Sequence, residues 1–205
     1  MDNDYEKRWN DYFIDGTNVF KNYLGITDYD ELVQKETDIT FERLVELYEK
    51  PIEGTFDKKH LCDIHKYLFG DLYPFAGQYR TVYMTKPNSY FISEKEIDYH
   101  LDLVLKEMQD DFKDCHNLQD YSTFLAQFYY DLLTVHPFRE GNGRTIREFM
   151  REFVDANIPD YILDWSRMNK DDLEEAMENA RFTRTLLIMQ FEKALIKEKK
   201  ESKVI

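Results

Sequence analysis

Hydrophobic positions along this chain recur at intervals of three and four, the spacing that places them on one face of a helix. Ile97, Leu101, Val104, Leu105, Met108 and Phe112 share such a face. Ser93 and Glu96 ahead of them read as a capping box, so a helix is predicted over 93–112. Leu61, Ile64 and Leu68 predict an earlier helix from Asp57, as its cap, to Phe69. Another is expected from about Asp38 to Glu49, stopped by Pro51. Leu125, Phe128, Leu132 and Val135 predict a helix over Asp120 to Val135. It should end near His136, because Pro137 disfavours helical dihedrals in the residue before it. A fresh stripe of Ile146, Phe149, Met150 and Phe153 starts just after Gly143. Asn169 is a natural cap for a helix around Asp171 to Arg181, and one more is expected from about Thr183 to Glu198.

One stretch breaks the helical period. Tyr79-Arg80-Thr81-Val82-Tyr83-Met84-Thr85 is rich in β-branched and aromatic residues, and Lys86-Pro87-Asn88-Ser89 supplies turn chemistry. Tyr90-Phe91-Ile92 is the returning strand of a short hairpin. The prediction is therefore an all-α helical bundle with one small β-hairpin. A single domain over 1–205 is expected, with its core at about 10–195 and a frayed polar tail at 197–205.

Charge narrows the function. A net charge of −14 repels phosphate backbones, which argues against direct nucleic-acid binding while leaving room for a local basic pocket. Cys62 and Cys115 have no metal-ligand spacing and are too few for a disulfide framework, which suits a reducing cytoplasm. No apolar run approaches a membrane span, and the N-terminus lacks the pattern of a secretory signal. Secretion by a route that needs no such signal stays open.

The chemistry gathers in His136-Pro137-Phe138-Arg139-Glu140-Gly141-Asn142-Gly143-Arg144-Thr145-Ile146-Arg147, between two predicted helices. Gly141 and Gly143 let consecutive amides point into one concavity, and the helix that begins there adds its dipole to the attraction for phosphate. Arg144 and Arg147, three apart, can face one side of that helix with forks that match phosphate oxygens. Glu140 can hold a Mg²⁺ that bridges phosphates. His136 can accept a proton from an attacking hydroxyl as a neutral imidazole. Phe138 is expected to point inward and pin the loop. Each residue alone has a structural explanation, as cap, turn or solvated face, and their joint occurrence favours chemistry. His60 and His65, five apart, are wrongly spaced for paired metal ligands on one helix and read as structural.

Those residues resemble the signature of the Fic (filamentation induced by cyclic AMP) family, His-x-Phe-x-(Asp/Glu)-Gly-Asn-Gly-Arg-x-x-Arg, at every specified position from His136 to Arg147. The stretches from Asp15 to Ile26 and from His65 to Arg80, and the pair Asp164-Trp165, are similar to the family as well. The resemblance implies the Fic fold and protein adenylylation, the transfer of AMP from ATP to a Tyr, Thr or Ser hydroxyl of a target protein. It implies His136 as the base and Glu140 on the Mg²⁺. Asn142 and Arg144 would then hold the α- and β-phosphates, with Arg147 on the γ-phosphate. The hairpin becomes a target-binding flap over about Val82 to Phe91, with Val82, Tyr83, Met84, Thr85, Lys86, Tyr90 and Phe91 facing the target. Gly143 is intact, unlike family kinases with Lys there, although another diphosphate-containing donor stays open.

Many relatives carry an inhibitory helix reading (Ser/Thr)-x-x-x-Glu-(Gly/Asn). Here only Thr27 to Glu31 approaches it, followed by Leu32, and it reads as an ordinary helix start. The implied arrangement is the toxin of a toxin–antitoxin pair, with a small antitoxin supplying the helix, in a bacterial cytoplasm. The alternatives are a host-directed effector that modifies GTPases and a nucleotide-binding module without transferase activity.

Overall fold

The chain is described by a computed structural model over residues 3–86 and 89–197. Eight helices form among the described residues: α1 (Asn3–Asn10), α2 (Tyr29–Glu49), α3 (Lys58–Phe69), α4 (Ile97–Asp111), α5 (Leu118–Val135), α6 (Asn142–Asn157), α7 (Lys170–Asn179) and α8 (Thr185–Ala194). Local chemistry sets half of their starts. Asp28, Asp57, Asn117 and Asn169 each accept a backbone N–H of the first turn through a side-chain oxygen. The helix predicted from Asp38 is the second half of α2, which the Asp28 cap begins at Tyr29.

Helix α5 lies at the centre, packed against α4, α6 and α8. Its Leu125, Phe128, Tyr129, Leu132 and Val135 are buried, as are Ile146, Phe149, Met150 and Phe153 of α6. Burial of such an apolar set is the main force that holds the bundle together. Helix α6 is enclosed on its polar side too. Arg151 donates to both oxygens of buried Glu148 and to the Leu47 carbonyl at 3.1 Å, and the nearby pair His60–Glu152 meets at 2.9 Å. These contacts fasten α6 to α2 and α3.

Three sequence expectations need correction. The capping box is not formed: α4 starts at Ile97, and Glu96 caps it without a side-chain bond. The chain just upstream is committed elsewhere, since the Ile92 N–H donates to the Thr134 carbonyl at 3.1 Å. The hairpin is shorter than expected, with β1 (Thr85–Lys86) paired antiparallel to β2 (Ser89–Tyr90), Thr85 opposite Tyr90. Residues 79–84 form no ladder; Arg80 N–H bonds the Pro137 carbonyl at 2.8 Å and Thr81 N–H the Tyr12 hydroxyl at 2.9 Å. Finally, the helix predicted to Glu198 stops at Ala194, and β4 (Leu195–Lys197) pairs antiparallel with β3 (Tyr161–Leu163). Three-residue apolar strands cannot be told from helix continuation by periodicity. Lys197 thus belongs to a sheet, while the rest of the expected tail and the Pro87-Asn88 turn lie outside the described residues.

Candidate active site

Helix α5 ends as Pro137 requires, and His136 caps it in the left-handed region, at φ 48 and ψ 60. The loop returns through Gly141, at φ 77, into the first turn of α6. Glycine is required at 141 on two counts. A side chain would be strained at that φ, and a Cβ would lie 2.2 Å from Cζ of Phe69.

Several contacts fix the loop between these points. Phe138 is 0% exposed and stacks on His65 at 3.9 Å between centroids, with 11° between planes. The Gly77 N–H donates to His65 Nδ1 at 2.7 Å, so Nε2 carries the proton and donates to the Glu140 carbonyl at 3.0 Å. Burial, the largest cause, pushes the His65 pKa down to about 4 and keeps the ring neutral. Asn142 closes the loop with its amide: Oδ1 accepts from the Phe138 N–H at 2.9 Å, and Nδ2 donates to the Phe138 carbonyl at 2.7 Å. What Asn142 offers an anion is therefore its backbone N–H. The first intrahelical bond of this turn runs from Thr145 N–H to Gly141 O, leaving the amides of Asn142, Gly143 and Arg144 without helical partners.

His136 is 7% exposed, and no side chain among the described residues hydrogen-bonds its Nδ1. The Phe91 ring stacks on it at 3.8 Å, with 13° between planes. Burial, then the positive charge of Lys86, push its pKa down to about 3, so the imidazole stands neutral with a lone pair to offer. The ring lines a cleft of about 800 Å³. Lys86, Gly143 and Arg147 line the same cleft, while Tyr129, Leu133, Trp165, Met168, Leu173 and Met177 supply apolar surface.

The two arginines part company. Arg147 borders the cleft, with Nη1 3.3 Å from where a Cβ on Gly143 would stand, and Trp165 Nε1 donates to its carbonyl at 3.2 Å. Arg144 turns to α2, where Nη2 meets Glu36 Oε1 at 2.5 Å and Nη1 donates to Thr40 Oγ1 at 3.2 Å. Tyr73 donates its hydroxyl to the other oxygen of Glu36. Glu140 sits between, accepting the Gly141 N–H at 2.8 Å and lying 3.6 Å from Arg144 Nη2. Its side chain is 42% exposed. Among the described residues no group of three metal-ligating side chains forms. A single accessible carboxylate beside a phosphate cradle suits Mg²⁺, which takes most of its ligands from phosphate and water.

Flap residues divide by burial. Val82 is 0% exposed and belongs to the core, which corrects its expected place on a target-facing surface. Tyr83 is 38% exposed with its carbonyl bonded by Tyr5, Met84 is half-buried, and Thr85 and Lys86 are exposed. The backbone of Tyr90 pairs with Thr85, and Phe91 covers His136.

Sequence reasoning missed Glu36, whose distance from the motif hides the contact, and Arg139. The guanidinium of Arg139 lies 4.6 Å from the Trp9 ring centroid, 4.8 Å from Phe20 and 5.3 Å from Phe13. The aromatic spacing of the first twenty residues was its only signal.

Comparison with known proteins agrees with this geometry. Residues 55–154 match the Fic/DOC family. Protein adenylyltransferase VbhT of Bartonella schoenbuchensis is 34% identical over 84% of this chain, which spans only 36% of that relative's length. The probable protein adenylyltransferase Fic of Escherichia coli is 25% identical, over 90% of this chain and 91% of that one. Among solved structures, BepC of Bartonella tribocorum with bound AMPPNP superposes with a TM-score of 0.81 at 24% identity, covering 93% of this chain and 98% of the other. A Fic domain of Bartonella quintana with bound ADP gives a TM-score of 0.82 at 24% identity, over 92% and 95%. At that identity the likeness establishes the fold. With its helical bundle and small hairpin around the matching residues 55–154, this chain contains a Fic/DOC family domain.

Proposed function

We propose that this chain is a protein adenylyltransferase, transferring AMP from ATP to a Tyr, Thr or Ser hydroxyl of a target protein. The observation that carries the reading is a neutral His136 in the same cleft as Gly143 and Arg147, at the open first turn of α6. The amides of that turn and Arg147 would receive the polyphosphate, and Arg144 would join them by leaving Glu36. Glu140 would hold Mg²⁺, which neutralises phosphate charge when bound. His136 takes the proton of the target hydroxyl, and the oxygen bonds to the α-phosphorus. The bond from that phosphorus to the bridging oxygen breaks, and pyrophosphate leaves. Positioning and charge neutralisation supply most of the acceleration. The hairpin edge at Thr85–Lys86 would register the target segment by strand addition.

Incubation with α-labelled ATP and bacterial lysate tests this reading. A labelled protein band is expected, lost in His136→Ala while ATP still binds. Transfer retained by His136→Ala would remove the base from its role.

Control is proposed to come from a small antitoxin in a bacterial cytoplasm. Among the described residues Arg147 has no carboxylate partner, and Thr27 to Glu31 is the capped start of α2. The purified chain should label targets as it stands. A chain that stays silent until a terminal helix is cut away would overturn control in trans.

A further inference from the structure

We propose that Arg80 is the positioning residue of the catalytic base. Its guanidinium joins His136 to both shoulders of the flap as one unit, so that the imidazole keeps its place when a target segment pairs with the hairpin. The inference rests on the functional reading above.

Arg80 is 2% exposed and heads the fully buried side chains by size among the described residues. Its Nε donates to the His136 carbonyl at 2.8 Å and its Nη1 to the Val82 carbonyl at 2.8 Å. Its Nη2 donates to the Ile92 carbonyl and reaches the Val135 carbonyl at 3.3 Å. The Arg80 backbone adds a bond to the Pro137 carbonyl at 2.8 Å. Among the described residues no carboxylate is hydrogen-bonded to it, so carbonyl dipoles, helped by the charge of Glu94, offset the desolvation of a buried charge.

The four side-chain acceptors come from three separate segments. His136 and Val135 end α5, Val82 leads into β1, and Ile92 follows β2. A planar fork with donors in fixed directions can hold all three at once, whereas an ammonium radiates from a single point and an amide has two donors. Ile92 is also the neighbour of Phe91, whose ring stacks on His136. The histidine is thereby held twice through one guanidinium, at its carbonyl directly and at its ring through the Ile92 anchor. Lys86 and Arg80 are the charges that act on the imidazole, and Arg147, Lys170, Glu174, Glu178 and Arg181 line the same cleft.

A structural role alone would show as lost stability, so the test reads what stability does not move. Arg80→Gln and Arg80→Lys are compared with the wild type for AMP labelling in lysate, for ATP affinity, and for the titration of the ¹³C-labelled His136 ring. Both variants should label about 100-fold more slowly, with ATP affinity within about threefold of wild type. In Arg80→Gln the His136 titration should move up towards the ordinary histidine range. In Arg80→Lys labelling should stay low although the charge is kept. Wild-type labelling rates, or slow labelling with an unmoved His136 titration in Arg80→Gln, would overturn the proposal. If Arg80→Gln does not fold, the wild-type Nε–H of Arg80 decides. Slow exchange with solvent together with a through-bond coupling to the His136 carbonyl supports the proposal, and fast exchange defeats it. A wild type that labels nothing with ATP fails the functional reading instead, and the spectroscopic arms still judge Arg80.

Discussion

His65 shows how much of the site depends on a residue with no chemistry of its own to perform. It is 0% exposed, holds the Gly77 amide and the Glu140 carbonyl on opposite ring nitrogens, and carries Phe138 on its face. Its ordinary pKa of 6.5 falls to about 4 in the fold, so the unfolded chain takes up the proton first as pH drops. The sign follows. Stability is insensitive to this group above about pH 7 and is lost as pH falls from 6.5 towards 4, by about 3 kcal/mol at most. His136, pushed down to about 3, acts in the same direction. Urea midpoints should therefore fall between pH 7.5 and pH 5, and less steeply in His65→Ala. A flat profile in the wild type would mean that His65 is not buried as described. The same burial of His136 should keep the labelling rate level from pH 8 to pH 6.

At the scale of elements, the N-terminal segment is tied to the catalytic loop by a cation among rings. Arg139 inserts between Trp9, Phe13 and Phe20, and Phe13 and Phe20 themselves stack at 5.0 Å. Arg139→Ala should cost about 1–3 kcal/mol, partly through lost packing of the side-chain stem. Limited proteolysis should then cut first within residues 3–26; an unchanged cleavage pattern would show that α1 is held by other contacts. The elements themselves were largely legible because their signals are local. Asp57 and Asn169 cap where expected, Pro137 ends α5, and the stripes of α5 and α6 face the core. What escaped depends on distant partners. Ser93 and Glu96 match a capping pattern, yet the Ile92 amide is claimed by Thr134, forty-two residues away. Residues 79–84 read as a strand, yet their backbone groups find the catalytic loop and Tyr12. Of the motif residues, His136, Gly143 and Arg147 line the cleft, while Glu36 on Arg144 and the burial of Val82 depend on how elements meet.

For the whole molecule, a charge of −14 surrounds a cleft whose lining carries Lys86, Arg147, Lys170 and Arg181 against Glu174 and Glu178. Those cations attract a polyphosphate locally against an unfavourable overall field, and salt screens both. Because the contacts are short-ranged and the repulsion long-ranged, the net dependence on salt should be mild. Affinity for ATP with Mg²⁺, measured by calorimetry, should weaken by no more than about threefold between 0.05 and 0.3 M salt. A loss of tenfold or more would mean that exposed charges, not the cleft, dominate binding. The left-handed backbone of His136 carries a different consequence, for substitution at this position. At φ 48 a Cβ is a burden, so His136→Gly should be more stable than His136→Ala by about 1 kcal/mol, the reverse of their order within a helix. Urea denaturation of the two variants checks it. The backbone at the chemical centre thus favours a residue that cannot do the chemistry. Loss of the imidazole forfeits the Phe91 stack, and glycine recovers part of that cost through the backbone.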